Sequence, residues 1–418
     1  VDGPRERYHL DWPGKKEALL AANSPVAKTF RPFRDESVDF ESTRNLFVEG
    51  DNLDALKLLQ ETYLNRVKLI YIDPPYNTGN DLLYHDDFAG SSSEYFQRSQ
   101  QSVGNGSRLV ANAESNGRFH SDWLSMLYPR LRLARRLLSH DGLVAVSIDN
   151  NEVHNLVHLC SEVFGYKNIL GLIANVNNPK GRSDDQFVAT AHEYVLWVAK
   201  NRASATIHGF EPEQAITKRY RKTDENGELY REIDLRKTGD ADRREDRQDM
   251  FYYFYYDERT ENLRVARQPG PRAGEREIVP LRDDGTEGRW RWGFETAQSN
   301  LPSLLARYMP KRQIWGVFER DYLEGRPPVK PTSAWTFKDV NSERGTEQFM
   351  ALGFAKEVFP RPKPLGTMRR ILEIATLPGK HAIVMDLFAG SCSFEEAAMR
   401  LNGESRRRLQ FIAIQLDE

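Results

Sequence analysis

The chain has 418 residues, 29% of them charged and 39% hydrophobic, with a formal net charge of −2 at pH 7. That length exceeds one ordinary core and implies two or three units, and the balanced charge excludes a global positive field, so any nucleic-acid surface must be local. The only cysteines, Cys160 and Cys392, stand far apart without metal-ligand spacing, which argues against a disulfide framework or structural zinc and fits a reducing compartment. No apolar run approaches the roughly 18 residues of a membrane span, so a soluble, cytoplasmic protein with no membrane partner and no metal is expected; the initial Val1 hints that the true start is missing.

Residues 1–44 are polar and punctuated by proline, with a short helical stretch around 14–23, and read as an arm packed on the body. From Asn45 the pattern is strand (46–48), turn (49–52), helix (53 to about 64) and strand (67–72), with Asp51 or Asn52 as N-cap. Such a βαβ unit implies a parallel sheet. Behind the second strand stands Asp73-Pro74-Pro75-Tyr76, then a loop at 77–117 that is Ser/Gly/Asn-rich around 90–116 and expected to be mobile. A helix at 121–138 with Arg and Leu interleaved, a strand at 142–148, and further segments at 153–164, 169–176 and 194–199 continue one α/β layer structure.

From about 202 to 330 the composition shifts to dense charge, scattered Gly and Pro, and the aromatic run Phe251-Tyr252-Tyr253-Phe254-Tyr255-Tyr256. This reads as an inserted β-rich module with exposed basic and aromatic surface, including Arg289-Trp290-Arg291-Trp292. The α/β pattern then returns: helix 365–376, strand 382–385, helix 393–401, strand 409–416. The resulting division is an arm at 1–44, a catalytic half at 45–200, an insertion at 201–330 and a cofactor half at 331–418.

Two strand ends carry the chemistry. At Asp73-Pro74-Pro75-Tyr76, two successive prolines fix φ and remove two donors, leaving the Pro74 carbonyl to join the Asp73 carboxylate in accepting from one amino group. Tyr76 offers a flat ring on which an extruded base could stack. The second is Met385-Asp386-Leu387-Phe388-Ala389-Gly390-Ser391, an apolar strand entering a small-residue turn that opens a helix, where a cofactor can lie against main-chain N–H groups. The following strand ends in Gln415-Leu416-Asp417-Glu418, where Gln415 or Glu418 could hold ribose hydroxyls. A plain βα turn and a solvated strand end are the competing readings.

The order of Asp-Pro-Pro-Tyr first, insertion second and Phe-Ala-Gly-Ser third resembles the beta class of amino-group DNA methyltransferases. More narrowly, Phe47-Val48-Glu49-Gly50-Asp51-Asn52-Leu53, Tyr71-Ile72-Asp73-Pro74-Pro75-Tyr76-Asn77-Thr78-Gly79 and Pro360-Arg361-Pro362-Lys363-Pro364 are similar to the modification (Mod) subunits of type III restriction systems. The resemblance implies a permuted Rossmann-like S-adenosylmethionine-dependent fold, strand order 3-2-1-4-5 closing without further strands, with an inserted target-recognition domain. It implies methyl transfer from S-adenosylmethionine to a flipped base in double-stranded DNA, adenine N6 being preferred over cytosine N4 because Asp leads the motif. A DNA-binding specificity subunit with impaired cofactor binding is the alternative outside enzymes. It further implies a homodimer and a separate restriction (helicase-nuclease) subunit, since no phosphate loop or nuclease cluster is visible here; a C-terminal part is expected to be absent.

By the same resemblance Asp73, Pro74, Pro75 and Tyr76 are catalytic, and Phe388, Ala389, Gly390 and Ser391, supported by Asp386, hold the methionine portion of the cofactor. Lys363 and Pro364 would reach its carboxylate, Asp51 and Asn52 its adenine, Gln415 or Glu418 its ribose. Helix capping competes for Asp51 and Asn52, and an exposed charge for Lys363. Family members usually continue the turn as Gly-Ser-Gly-Thr-Thr, whereas this chain has Gly390-Ser391-Cys392-Ser393-Phe394. Cys392 reads as a packed, inert thiol. Candidate DNA contacts are Lys180 and Arg182 in Asn177–Arg182, and Arg289 and Arg291, against turn chemistry and Trp packing. His192-Glu193 reads as structural rather than metal-binding.

Overall fold

The computed structural model describes residues 10–79, 118–183, 185–210, 217–325 and 328–416, with the backbone alone of 82–84 and 109–111. Most of the stretch at 90–116 lies outside the described residues. The chain forms two compact units: Val1–Phe210 with Lys330–Glu418, and Glu211–Val329.

The strands of the first unit's main sheet are β1 (Leu46–Glu49), β2 (Val67–Ile72), β3 (Leu138–Ile148), β4 (Ile169–Asn175), β5 (Glu193–Ala199), β6 (Ala334–Trp335), β7 (His381–Asp386) and β8 (Arg408–Gln415). Its helices are α1 (Lys15–Asn23), α2 (Asn52–Tyr63), α3 (Phe119–Leu137), α4 (Val153–Phe164), α5 (Ser342–Ala351), α6 (Leu365–Ala375) and α7 (Ser393–Glu404). The strand order is β1-β8-β7-β2-β3-β5-β4-β6. From β1 to β3 every pairing is parallel, which is the 3-2-1-4-5 arrangement in permuted chain order. The sheet does not end there, however. β5 adds antiparallel to β3, β4 antiparallel to β5, and β6 parallel to β4, so the expectation of closure without further strands is corrected by three additional strands. Their residues, Ile173, Val195, Trp197 and Trp335 among them, are buried and need the partners that these pairings supply.

Burial on both faces explains why β2 and β7 read as near-continuous apolar runs. Alternate residues serve opposite cores. Ile70, Ile72 and Met385 pack with Leu56 and Leu59 of α2, Leu127 and Leu131 of α3 and Leu156 of α4. Leu69, Tyr71 and Val384 pack with Met368 and Ile371 of α6 and Phe394 and Leu401 of α7. A one-residue slip would exchange the two cores, so the register is strongly specified. The arm contributes Trp12, whose indole N–H donates to Ser125 Oγ at 3.0 Å and whose ring meets Tyr128 edge-on.

The second unit is built on two antiparallel sheets. Leu304–Met309, Ile314–Tyr322, Leu229–Asp234 and Lys222–Thr223 form one, and Asn262–Ala266, Tyr253–Asp257 and Glu275–Ile278 the other. The aromatic run is interior rather than exposed, which corrects the sequence expectation. Tyr252, Phe254 and Trp290 are fully buried and pack with Leu235, Ile278 and Val317. Aromatic rings bury more apolar area than any aliphatic side chain, so a small unit of short strands fills its core with them. Arg289 is also buried: its Nε donates to the Ala241 carbonyl at 2.6 Å. Arg291 donates to the Asp234 carbonyl and lies 3.4 Å from Glu319. Both guanidinium groups serve the unit's own packing.

Candidate active site

Parallel pairing sets Asp386, the last residue of β7, opposite Tyr71 of β2 and Ala413 of β8. The two chemistry-bearing turns therefore leave neighbouring strands at the same carboxyl edge, where ligands bind in open α/β sheets.

At the end of β2 the Pro75 carbonyl accepts from the Trp123 indole at 2.7 Å, committing it to the scaffold. Asn77 takes a positive φ of 58° and buries its amide against Glu152 at 2.6 Å. Glu152 also meets His120 and Asn155. The Asp-Pro-Pro-Tyr turn is thus pinned from behind by α3 and the start of α4. In front, a polar cluster converges on it from residues distant in sequence. Lys363 Nζ lies 3.2 Å from Asp73 Oδ1 and 2.8 Å from Glu193 Oε2. It also donates to the Tyr76 hydroxyl and sits 4.7 Å from the centroid of the Tyr76 ring. The Tyr76 hydroxyl donates to Glu193 Oε2 at 2.9 Å, and Asn175 Nδ2 holds Glu193 Oε1 at 3.1 Å.

Charge is divided unequally between the two acids. Burial pushes the Asp73 pKa up, and the opposing Lys363 ammonium does not bring it back to its ordinary value. Burial opposes Glu193 as well, but there Lys363, Tyr76 and Asn175 outweigh it and leave the pKa lowered. Burial works against the Lys363 ammonium, yet Asp73 and Glu193 overcome it and raise its pKa. Burial, with Asp73 and Glu193 nearby, raises the Tyr76 phenol, which stays protonated.

The β7 turn is a network of main-chain and amide bonds. Asp386 Oδ1 accepts from Phe388 N at 3.0 Å, Gly390 N donates to Gln415 Oε1 at 2.8 Å, and Ala389 N donates to the Ile414 carbonyl at 3.0 Å. Gly390 has φ +50°, and a Cβ there would come 2.9 Å from the Phe359 ring. Cys392 has φ 57° in the left-handed region, the backbone that explains why a glycine suits this position. Its thiol is pushed up to about 12 by burial and by the acids Glu395 and Asp386, so it is protonated and inert at neutral pH. Phe394 turns away into the core and stacks on Tyr71, with centroids 5.2 Å apart.

Acid dominates this turn. Asp386 and Glu395 are 2% and 3% exposed, and neither Glu395 oxygen has a hydrogen-bond partner among the described residues. Burial and then Glu395 raise the Asp386 pKa, while burial lifts Glu395 to about 7. A glycine turn flanked by uncompensated buried acid fits a ligand that brings positive charge.

The remaining sequence candidates fall as follows. Asp51 caps α2, accepting from Leu53 N and Asp54 N at 2.9 and 3.1 Å. Asn52 is buried, donates to the Leu387 carbonyl at 2.9 Å and accepts from Arg130, tying α2 to the β7 turn. Phe388 and Ala389 are buried and Ser391 half-buried, its hydroxyl 3.0 Å from Ser393. Pro364 is the N-cap residue of α6, which carries Lys363 to Asp73. Glu418 lies outside the described residues. Lys180 and Arg182 are exposed on the turn between β4 and β5, and that turn leaves the same edge as Asp73. Sequence reasoning missed Glu193, Asn175 and Trp123 as parts of the site. A charged residue opening the otherwise apolar strand Glu193–Ala199 was the available signal for the first. No group of three His, Cys, Asp or Glu that could hold a metal occurs among the described residues.

A permuted doubly wound sheet with an Asp-Pro-Pro-Tyr turn and a glycine turn on adjacent strands is the arrangement expected of a DNA methylase. The family model for DNA methylase matches residues 67–418, and the chain belongs to that family. It is 31% identical to the type III restriction-modification enzyme EcoPI Mod subunit of Escherichia phage P1, over 100% of this chain and 65% of the relative. It is 32% identical to the type II methyltransferase M.KpnI of Klebsiella pneumoniae, over 88% of this chain and 80% of that protein. To the EcoP15I Mod subunit of Escherichia coli it is 27% identical, over 100% and 66%. The chain therefore spans about two thirds of the length of these Mod subunits.

Proposed function

We propose that the chain methylates the exocyclic amine of a base flipped out of double-stranded DNA, adenine N6 rather than cytosine N4, as the modification and recognition subunit of a restriction-modification system. The observation that carries this reading is the placement of Asp73-Pro74-Pro75-Tyr76 beside the Asp386–Ser391 turn on paired strands. When bound, S-adenosylmethionine supplies an electrophilic methyl group. Phe388, Ala389, Gly390 and Ser391 would hold it, with Gln415 fixing the Gly390 N–H and the Asp386 and Glu395 carboxylates matching its positive charge.

The chain's own work is on the amine. An exocyclic amino group is a poor nucleophile because its lone pair is delocalised into the ring. Two fixed acceptors, the Asp73 carboxylate and the Pro74 carbonyl, localise that pair on nitrogen as the group pyramidalises. Asp73, its pKa already raised by burial, is then placed to take the proton that the alkylated nitrogen releases. Tyr76 supplies a stacking face. The exposed Lys180 and Arg182 serve phosphate contact, and the unit Glu211–Val329, within the insertion expected at 201–330, is assigned target recognition.

A homodimer and a separate helicase-nuclease partner belong to the same reading; the relatives named as Mod subunits of restriction-modification enzymes support a partner subunit. Among the described residues no helix is long and apolar enough to cross a membrane. Incubation with methyl-labelled S-adenosylmethionine and mixed-sequence DNA, followed by nucleoside analysis, tests the proposal. N6-methyl-2′-deoxyadenosine is the expected product; N4-methyl-2′-deoxycytidine would move the base assignment, and unlabelled DNA would overturn the activity.

A further inference from the structure

Asp73 and Tyr76 are the two groups expected to receive the target base, and one side chain already engages the carboxylate of the first and the hydroxyl of the second. The Lys363 ammonium pairs with Asp73 Oδ1 at 3.2 Å, on the carboxylate to which an exocyclic amine would donate, and donates to the Tyr76 hydroxyl at the edge of that ring. A base amine that donates to that carboxylate has to displace the ammonium from it. Expelling a buried ammonium with nowhere to go would strand its charge. The structure provides a second anion within reach: Glu193 Oε2 lies 2.8 Å from the same nitrogen.

We propose that Lys363 is an internal stand-in for the target amine and gates the acceptor site, and that Glu193 is the positioning residue that retains the ammonium when a base displaces it from Asp73. This inference rests on the methyl-transfer reading above.

Three observations support the division of labour. Glu193 is anchored on both oxygens, by Asn175 on one and by the Tyr76 hydroxyl on the other, so it does not follow the lysine. Its pKa is lowered whereas that of Asp73 is raised, which makes Glu193 the more persistent counterion. The backbone carrying Lys363 is fixed between Pro362 and Pro364, and α5 presses on it so closely that a Cβ on Gly345 would come 2.1 Å from the Pro362 carbonyl. Movement is thereby confined to the lysine's own flexible stem.

The gate also discriminates. A base that offers a carbonyl oxygen where the amine belongs would set acceptor against acceptor at Asp73, and could not replace the interaction that Lys363 gives up. Only an amino-bearing base restores a donor to Asp73 after the ammonium has moved to Glu193.

The test uses the full chain at pH 8, with methyl transfer to DNA measured as kcat and KM and S-adenosylmethionine binding measured separately by calorimetry. In Glu193→Gln the ammonium has Asp73 as its one carboxylate, so kcat is expected to fall about 10- to 100-fold with cofactor affinity unchanged. Adding Lys363→Met removes the trapped charge and is expected to recover about ten-fold of that loss. A double variant no faster than Glu193→Gln alone overturns the gate. Lys363→Arg supplies an independent measurement, because a guanidinium fork bridges both carboxylates and should release Asp73 less readily. A kcat equal to that of the unaltered chain would again overturn the proposal. Failure of the underlying reading looks different, since the unaltered chain itself would then transfer no label to DNA.

Discussion

At the end of β2, Asp73 faces a lysine of its own chain 3.2 Å away; at the end of β7, one strand over, Asp386 faces a second acid, Glu395. Both turns sit on the same edge of the sheet, both carboxylates are shielded, and both have raised pKa values with burial as the first cause. They differ in whether the protein supplies the opposite charge. The Asp-Pro-Pro-Tyr turn has a cation of its own chain beside its acid, and the glycine turn sets two buried acids together without one among the described residues. The difference teaches that neighbouring positions of one topological site can be poised in opposite senses, one closed by self-pairing and one held open by frustration.

The largest expected effect comes from removing the acceptor. Asp73→Asn replaces an anion by a neutral amide and should lower methyl transfer by about 100- to 1,000-fold. Calorimetry should show S-adenosylmethionine binding within about two-fold of the unaltered chain. A matching loss of cofactor binding would show that the two turns are not separable, and the contrast between them would collapse.

Glu395→Gln probes the other side. Because the folded-state pKa of Glu395 is raised to about 7, its contribution is fully present below the ordinary carboxylate value and is lost as pH rises through about 7. The glutamine variant should therefore melt higher than the unaltered protein at pH 8, by about 1–3 kcal/mol in stability, and match it near pH 4.5. An advantage that does not shrink as pH falls would show that the turn holds no uncompensated charge. Smallest is Cys392→Gly, which relieves the left-handed backbone at φ 57° and should stabilise by up to about 1 kcal/mol, read as a shift in urea midpoint with unchanged slope. A destabilised variant would place the value of Cys392 in its packing rather than its backbone.

Much of the first unit was legible in the sequence because its signals are local. The apolar runs of β2 and β7, the cap at Asp51 and the turn chemistry of Asp73–Tyr76 and Gly390 each depend on a few adjacent residues. Their order along the chain, read with the family resemblance, gave the permuted strand arrangement. The three added strands were less visible as sheet members, since β5 and β4 pair antiparallel and β6 is two residues long. Burial of Tyr252, Phe254 and Trp290 was misjudged for a different reason. Dense charge around an aromatic run looks like surface, and only the second unit's own tertiary packing turns those rings inward.

The contacts that assemble the site share one property. Lys363 and Glu193 are separated by 170 residues, and Lys363 and Tyr76 by 287, so no local pattern predicts that they meet. Lys363 beside two prolines carried a family expectation of cofactor contact, and its ammonium rests between Asp73 and Glu193. Arg289 and Arg291 illustrate the converse. Arginine is read as a phosphate ligand from composition, yet both groups are consumed by carbonyls and acids of their own unit.

The permuted order of the central strands also governs how the chain must be built. β1 pairs with β8 alone, and Asn45 beside it bonds Phe411 across 366 residues. During synthesis from the N-terminus, β1 and one long side of β2 have no partner until β7 and β8, more than 300 residues further along, leave the ribosome. Through that interval their open edges are exposed to association with other chains, and the sheet gains its centre last. The second unit, contiguous in sequence and rich in antiparallel neighbours, is free of that delay and can fold while the first is still waiting.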